Sequence, residues 1–509
     1  MHGRTGWRRG AWAAMAICIG CGGDAKTGPD AATDLDAAID AAIDAMDAGP
    51  LVCELGLADC NGDAADGCEV DITRSEIQCG GCATTPCVGT EVCIASACGV
   101  PTGGIGWVFT AGTTDLDTGF AVAIDPNGGV VLAGITRGAI DVGGGTLPAA
   151  GGQGSFLASY AADGTHRWSR VLVNVEVEKV GVDAAGNVYI AGDFQNTVNV
   201  GGGALATRGA VDAIVASFAP SGVHRWSHSF GASGFDSATG VAVAPDGTAW
   251  FTGTFSGATD FGNGMLTPVG TSDVFVLRYD PAGTLLDASR YGGAGGDRGR
   301  DVALDAAGDV FLVGEVGSMV DFGGGPVASA GLFIASFTSA NAHRWSAALG
   351  ATFNSRMGGV AVDDAGNAFA VGRSTAGFVS DGSLRIWSFS NTGTPGWSQS
   401  FGLGANTANL AAVSAGKHVY VVGSLSESIN FGGSDLGGVG YSGTFIASFS
   451  SSGNHRWSHA NTGLYIDAAS DGVTDVYVAA RLEGTLDFGD GVSRTAIGNA
   501  DVAMVKYLD

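Results

Sequence analysis

A tryptophan recurs along the chain at Trp107, Trp168, Trp226, Trp345, Trp397 and Trp457, with Leu286 in its place once, so that seven anchors stand 52 to 61 residues apart. A sustained period of about 58 residues marks a repeat architecture, in which each unit buries its apolar faces only against its neighbours. Within a unit the pattern is constant. A short run of small apolar residues, such as Val241, Ala242 and Val243 or Val302, Ala303 and Leu304, leads into a tight turn like Asp183, Ala184, Ala185, Gly186 and Asn187. Gly and Asn there supply the positive φ angles that a hairpin requires. A second apolar run ends in Gly134, Gly192, Gly253, Gly314, Gly372 or Gly423, with Ala480 as the seventh. After a loop a third run appears, at 156–160, 214–218, 275–279, 333–337 and 445–449, and a second short turn returns the chain to the Trp segment.

Four strands per unit with no helical signal between them describe the blade of a β-propeller, and seven units predict an all-β, seven-bladed ring over residues 101–509. Composition agrees. Glycine accounts for 87 of 509 residues and charged residues for 15%, and Gly costs about 1 kcal/mol in a helix interior, which excludes long helices. Ring closure has its own signature: the chain enters the repeats with a lone Trp strand at 105–110 and leaves with a third strand at 503–508, so the entering strand can complete the seventh blade. The first strand of each unit is also the smallest, as the strand nearest an axis must be.

The region resembles the bacterial β-propeller repeat family (SBBP). The resemblance rests on Val360, Ala361, Val362, Asp363, Gly366 and Asn367, on Asp260, Phe261 and Gly262, and on the third strand that precedes Gly453 and Trp457. What it implies is a scaffold, with no chemistry attached. The G-x-x-x-W segments are similar to the docking motif of quinoprotein propellers, which implies that the tryptophans pack between blades and does not by itself imply a redox cofactor.

The first hundred residues differ in kind. Arg4, Arg8 and Arg9 form a basic head, residues 11–20 are apolar, and Cys21 follows Gly20, the layout of an export signal over residues 1–20. Ile19, Gly20 and Cys21 resemble the lipobox of bacterial lipoproteins, with Cys18 where that family usually has Leu. The resemblance implies lipid attachment at Cys21, and Gly22 in place of Asp implies the outer membrane. Residues 21–50, rich in Ala and Asp, read as a self-repelling tether. Residues 51–100 hold Cys53, Cys60, Cys68, Cys79, Cys82, Cys87, Cys93 and Cys98, and no cysteine follows. An even, dense set in an exported chain reads as a framework of four disulfides whose pairing the spacing does not choose. The single C-x-x-C at Cys79 and Cys82 lacks the second pair that a zinc module needs. The acidic stretch from Asp59 fails the EF-hand template at Ala64 and Val70. The module resembles small cysteine-rich units of bacterial surface lipoproteins.

Function is written less plainly. A net charge of −26, from 50 acids against 24 bases, excludes nucleic acid as a partner. His166, His224, His343 and His455 each precede Arg and Trp. Equivalent positions on different blades lie too far apart to share a zinc ion, whose ligands stand within about 2.3 Å, so these histidines read as framework. Asp141, Asn199, Asp260, Asp321, Asn430 and Asp487 recur before Gly-rich turns. They read first as turn formers and second as calcium or ligand contacts. No catalytic motif is present, so no catalytic residue is assigned and no cofactor beyond Ca2+ is expected. The expectation is a lipid-anchored binding or display module, with a propeller enzyme acting on polysaccharide and a structural envelope component as alternatives. Its ligand, a surface glycan or protein, is expected on the face that carries the links from second to third strand and from one blade to the next, because these are the long ones. Asp141, Asp236, Asp260, Asp297, Asp321 and Asp487 are the candidate face residues, favouring cations or hydroxyl-rich partners over anions.

Overall fold

The structure is a computed structural model that describes residues 103–149, 154–327, 330–350, 355–375, 382–402, 411–415, 418–425, 428–437, 443–471 and 475–508, and the backbone of two short strand pairs before them. The chain divides into two units, Met1–Gly99 and Val100–Asp509. In the first, Leu57–Ala58 pairs with Val70–Asp71, and Val92–Ile94 pairs with Ala97–Gly99 in a register that sets Cys93 opposite Cys98. Cys21, the export signal, the tether and the cysteines from Cys53 to Cys87 lie outside the described residues.

The second unit is the propeller. Seven antiparallel sheets of four strands each follow one another along the chain. Blade 3 shows the plan: Ser237–Val243 innermost, then Ala249–Phe255, Asp273–Tyr279 and, outermost, Leu285–Tyr291. The seventh blade is built from both ends of the repeats. Leu464–Ser470, Asp475–Leu482 and Asp501–Leu508 are joined by Gly104–Ala111, with Val502 opposite Ala111 and Leu508 opposite Gly104. This closure leaves the ring with no open edge at the seam.

The middle strands Val188–Phe194, Asp212–Phe218 and Ala249–Phe255 are largely apolar and buried at every position because they are covered on both faces. Seven hydrophobic clusters fill the described ring, and each draws its residues from two neighbouring blades. The cluster at the seam joins Tyr477, Val502 and Met504 of blade 7 to Val122, Leu132 and Phe156 of blade 1. Stability therefore resides between blades rather than within them.

One irregularity sets the shape of the channel. In six of the innermost strands the register to the second strand shifts by a residue, so Phe120, Glu178, Thr239, Arg300, Gly358 and Ile466 are bulged. A bulge bends its strand and leaves the extra residue unpaired. The carbonyl beside it presses on the glycine of the second strand. A Cβ at Gly253 would lie 2.9 Å from the Ala238 Cα and 2.7 Å from the Phe275 ring, which accounts for the recurrent glycine there. The sequence reading began these strands at Val241 and Val302. They begin at Ser237 and Arg298, because the bulge interrupts the alternation by which a strand is recognised.

Candidate functional site at the channel mouth

The links from second to third strand leave the expected face but do not stay on it. In blade 1 the link forms a small hairpin, Ile140–Asp141 with Thr146–Leu147. It folds back along the blade until Gly143 packs on His166, the first residue of the outermost strand, 3.3 Å from its Cβ if given a side chain. Gly323 meets His343 and Gly432 meets His455 in the same way. That end of the outermost strand adjoins the opposite, short-turn face. Each histidine ring also stands edge-on to an aromatic of the third strand, such as Phe218 beside His224 at 6.0 Å, and His224, His343 and His455 reach a serine hydroxyl three residues on. The histidines are packing pieces, as their spacing implied.

Within these hairpins Asp141 accepts from the Gly143 and Gly145 amides, Asp260 from Gly262 and Gly264, Asp321 from Gly323 and Gly325, and Asp487 from Gly489 and Gly491. Asp236 and Asp297 occupy the links between blades and are buried. Asp236 accepts from the amides of Ala232 and Ser256, and Asp297 from those of Gly293 and Gly317. The six aspartates are thus not gathered on one face. No group of three or more His, Cys, Asp or Glu side chains among the described residues could hold a metal ion.

What the long-link face does hold is a cavity of about 480 Å³, open at the mouth of the channel. Its wall comes from blades 2 to 5. The bulged residues Glu178, Thr239 and Arg300 reach into it, joined by Ser237, Arg298 and Arg356, the first residues of their innermost strands. Thr254, Ser256, Thr271 and Ser272 add hydroxyls, and Phe235 adds an aromatic ring that is 58% exposed. Arg300 is fixed by its Nε, which donates to both carboxylate oxygens of Glu315 at 3.0 and 2.9 Å, and Glu315 in turn accepts from the Met357 amide. The side chains of Arg298 and Arg356 have no hydrogen bond or ion pair among the described residues.

The expectation that this face prefers cations bears on the lining of this cavity. It was drawn from aspartates, but Asp236 and Asp297 direct their oxygens to backbone amides, and the charges that reach the cavity are three guanidiniums and one glutamate. Burial, with repulsion from Asp193 and Glu176, pushes the Glu178 carboxyl up to about 8 against the pull of Arg300 and Arg356. Asp193, which accepts from the Ser237 hydroxyl at 3.0 Å, is pushed up to about 7 by burial and by Glu176. Near neutral pH the cavity is therefore lined by cations, hydroxyls and a carboxyl that still holds its proton.

The residue after each bulge carries a second pattern. Lys179, Asp301 and Asp467 occupy one register position in blades 2, 4 and 7, where blades 3 and 5 have Gly240 and Gly359. Lys179 Nζ lies 2.7 Å from Asp467 Oδ1, joining blade 2 to blade 7 across blade 1, whose Val122 amide donates to Asp467 Oδ2. Burial by itself would lower the Lys179 ammonium; Asp467 and Asp301 overcome it and hold it above the ordinary lysine range. Asp301 likewise accepts from the Val360 amide of the next blade.

Sequence reasoning missed Glu178, Arg298, Arg300 and Arg356. The signal was there in the alignment of repeats, since these positions are filled by unlike residues where the rest of the strand is constant.

No protein-family model matches the chain, and no curated protein matches it. Solved structures resemble it in part. The Dos1 propeller is 9% identical, with a TM-score of 0.38 over 78% of this chain and 94% of that one. The polysaccharide lyase Uly1 is 8% identical, with a TM-score of 0.39 over 77% and 90%. Raptor of Chaetomium thermophilum is 6% identical, with a TM-score of 0.41, and this chain spans 28% of its length.

Proposed function

We propose that this chain is an exported, lipid-anchored binding module whose ligand is held at the channel mouth on the face of the long links. The observation that carries this reading is the cavity itself. Its lining is polar and convergent, it sits where a rigid ring presents loops from four blades, and its volume falls within the roughly 300–1,000 Å³ of small-molecule sites. Anchorage follows from the basic head, the short apolar stretch and Cys21, and the acidic tether holds the propeller away from an anionic membrane surface. The eight cysteines stabilise a segment too short to bury much core. Membership of the bacterial β-propeller repeat family belongs to the same reading and rests on the repeat motifs.

Glycan and protein arrays probed with the purified propeller test it. Retention of a ligand, lost when residues of the cavity are replaced, supports a binding module. Silence on both arrays, with an intact fold, favours a structural component of the envelope. One observation favours a second reading: Glu178, a carboxyl that keeps its proton near neutrality beside Arg300, is suited to general acid catalysis. Turnover of an array hit, abolished by Glu178→Gln with binding retained, would select a polysaccharide-processing enzyme instead.

A further inference from the structure

The cavity at the channel mouth brings together three kinds of group that rarely share one small volume. Ser237, Thr239, Thr254, Ser256, Thr271 and Ser272 offer six hydroxyls; those of Ser237, Thr239, Ser256, Thr271 and Ser272 donate to Asp193 and to the carbonyls of Gly299, Phe235, Gly295 and Asp297, which leaves their oxygen lone pairs to accept from a ligand's hydroxyls. Arg298 and Arg356 present planar guanidiniums free of hydrogen bonds among the described residues, in the same lining as Arg300, which Glu315 holds in place. Phe235 leaves an aromatic ring 58% exposed at the same wall, on a protein whose other aromatics are largely packed between blades.

Each group selects part of a ligand. A cluster of hydroxyls, three on strands and three on the link that joins them to the third strand, matches a partner that carries many hydroxyls of its own, which a peptide does not and a sugar does. Guanidinium forks match a planar or tetrahedral anion through paired, charge-assisted hydrogen bonds. An exposed aromatic ring offers a flat apolar surface to the C–H face of a pyranose. Phosphate chains are disfavoured by the net charge of −26, which leaves no basic track to follow beyond the cavity. Local charge and total charge thus have opposite signs, and the local one decides what enters.

We propose that this cavity binds an acidic sugar unit of a polysaccharide, with the sugar's carboxylate or sulfate group held by Arg298 and Arg356, its hydroxyls by the Ser and Thr cluster, and its ring against Phe235. The proposal rests on the reading of the chain as a binding module and names the ligand class of that same site.

Isothermal titration of the full exported chain tests it with four probes: a tetra-uronate, a sulfated tetrasaccharide, their neutral counterpart, and polyglutamate. Binding of either acidic sugar, at least about tenfold tighter than the neutral sugar and polyglutamate, is expected, since charge-assisted bidentate pairs are the strong ones. The first two probes separate carboxylate from sulfate as the anion recognised. Arg298→Gln and Arg356→Gln should each weaken that binding about tenfold or more. Neither should move the melting temperature, because both side chains are exposed and make no hydrogen bond or ion pair among the described residues. Phe235→Ala should weaken the sugar and leave the residual affinity for polyglutamate unchanged. Equal binding of the neutral sugar or of polyglutamate, parental affinity in both Arg variants, or no acidic-sugar binding at millimolar concentration would overturn the proposal. A neutral glycan or protein ligand that maps to this cavity would overturn the acidic sugar while sparing the binding-module reading. A ligand that maps to the opposite face would remove both.

Discussion

Gly283, in the turn between the third and outermost strands of blade 3, lies directly against the indole of Trp226 from blade 2: a Cβ there would come within 2.5 Å of Trp226 Cγ, and its φ of +84° already disfavours a side chain. The indole Nε1 donates to Pro281 in the same turn at 3.2 Å. Gly222 on Trp168, Gly393 on Trp345 and Gly453 on Trp397 repeat the contact, and Gly103 supplies it to Trp457 across the seam. The G-x-x-x-W motif is thus two halves of different joints: its Gly receives the Trp of the blade before, and its Trp clamps the blade after. In blade 3 the strand register corrects the alignment on Leu286: Asp287, opposite Arg278 as Trp226 is opposite Ser217, takes the place of the Trp, and the next turn has Asn341 instead of Gly, at a φ of +63°. Asn341 Nδ2 donates to Asp287 and Ser289, and Arg278 donates to Ser339, the carbonyl an indole holds elsewhere.

Gly283→Ala should therefore cost about 1–3 kcal/mol, the usual range for a strained φ and an overpacked contact. Asp287→Trp alone should also destabilise, because the indole would meet Asn341, and adding Asn341→Gly should recover much of the loss. A double-mutant cycle by chemical denaturation reads the coupling; additive effects would show that the two positions are independent.

Closure by the amino-terminal strand predicts that removing residues 104–111 lowers the melting temperature steeply and exposes the edge of Asp501–Leu508. Trp457, buried in the core between blades 6 and 7, should cost about 3–5 kcal/mol on replacement by Ala. A truncated chain that melts with the parent would argue for an open array.

The architecture was legible because a repeat states its design seven times. The Trp period, the turn glycines and the split seventh blade all reflect covalent spacing and backbone sterics, which a sequence displays directly. The cavity was hidden by the bulge. Glu178, Thr239 and Arg300 reach the channel only because an extra residue reverses the alternation of their strands, and nothing in one strand announces that. The aspartates misled for a related reason. Turn-forming carboxylates recur as regularly as a binding motif would, and only the hydrogen bonds of Asp236 and Asp297 reveal that their oxygens are already taken.

Acid–base behaviour offers a third test. In the unfolded chain Glu178 and Asp193 titrate near the ordinary carboxylate values of about 4, whereas in the fold they hold their protons up to about 8 and about 7. The native state thus binds more protons across this window, so these groups make stability fall as pH rises from about 4 to about 8 and level off beyond. Replacing both with Gln and Asn should flatten that slope in a series of melts; an unchanged slope would place its origin elsewhere. The same ionisation puts a negative charge beside Arg300 and Arg356, with Glu176 and Lys179 adjacent in sequence or space, so affinity for an acidic sugar should decline as pH passes about 8.

In the amino-terminal unit, residues directly opposite in an antiparallel pair stand about 4.5–5.5 Å apart at Cα, inside the range a disulfide spans. Cys93 and Cys98 are so placed and are predicted to be bridged. Peptide mapping without reduction should recover them linked, and an acylated Cys21 should appear in the same digest; free thiols at 93 and 98 or an unmodified mature terminus would contradict these assignments.

The most direct test of the binding site is hydrogen–deuterium exchange of the propeller with and without an acidic oligosaccharide, or the strongest array hit if that sugar fails to bind. Protection is predicted at residues 235–239, 271–272, 298–300 and 356, around the channel mouth. Protection confined to the short turns at 183–187, 244–248 and 305–309 would place recognition on the opposite face and contradict the account.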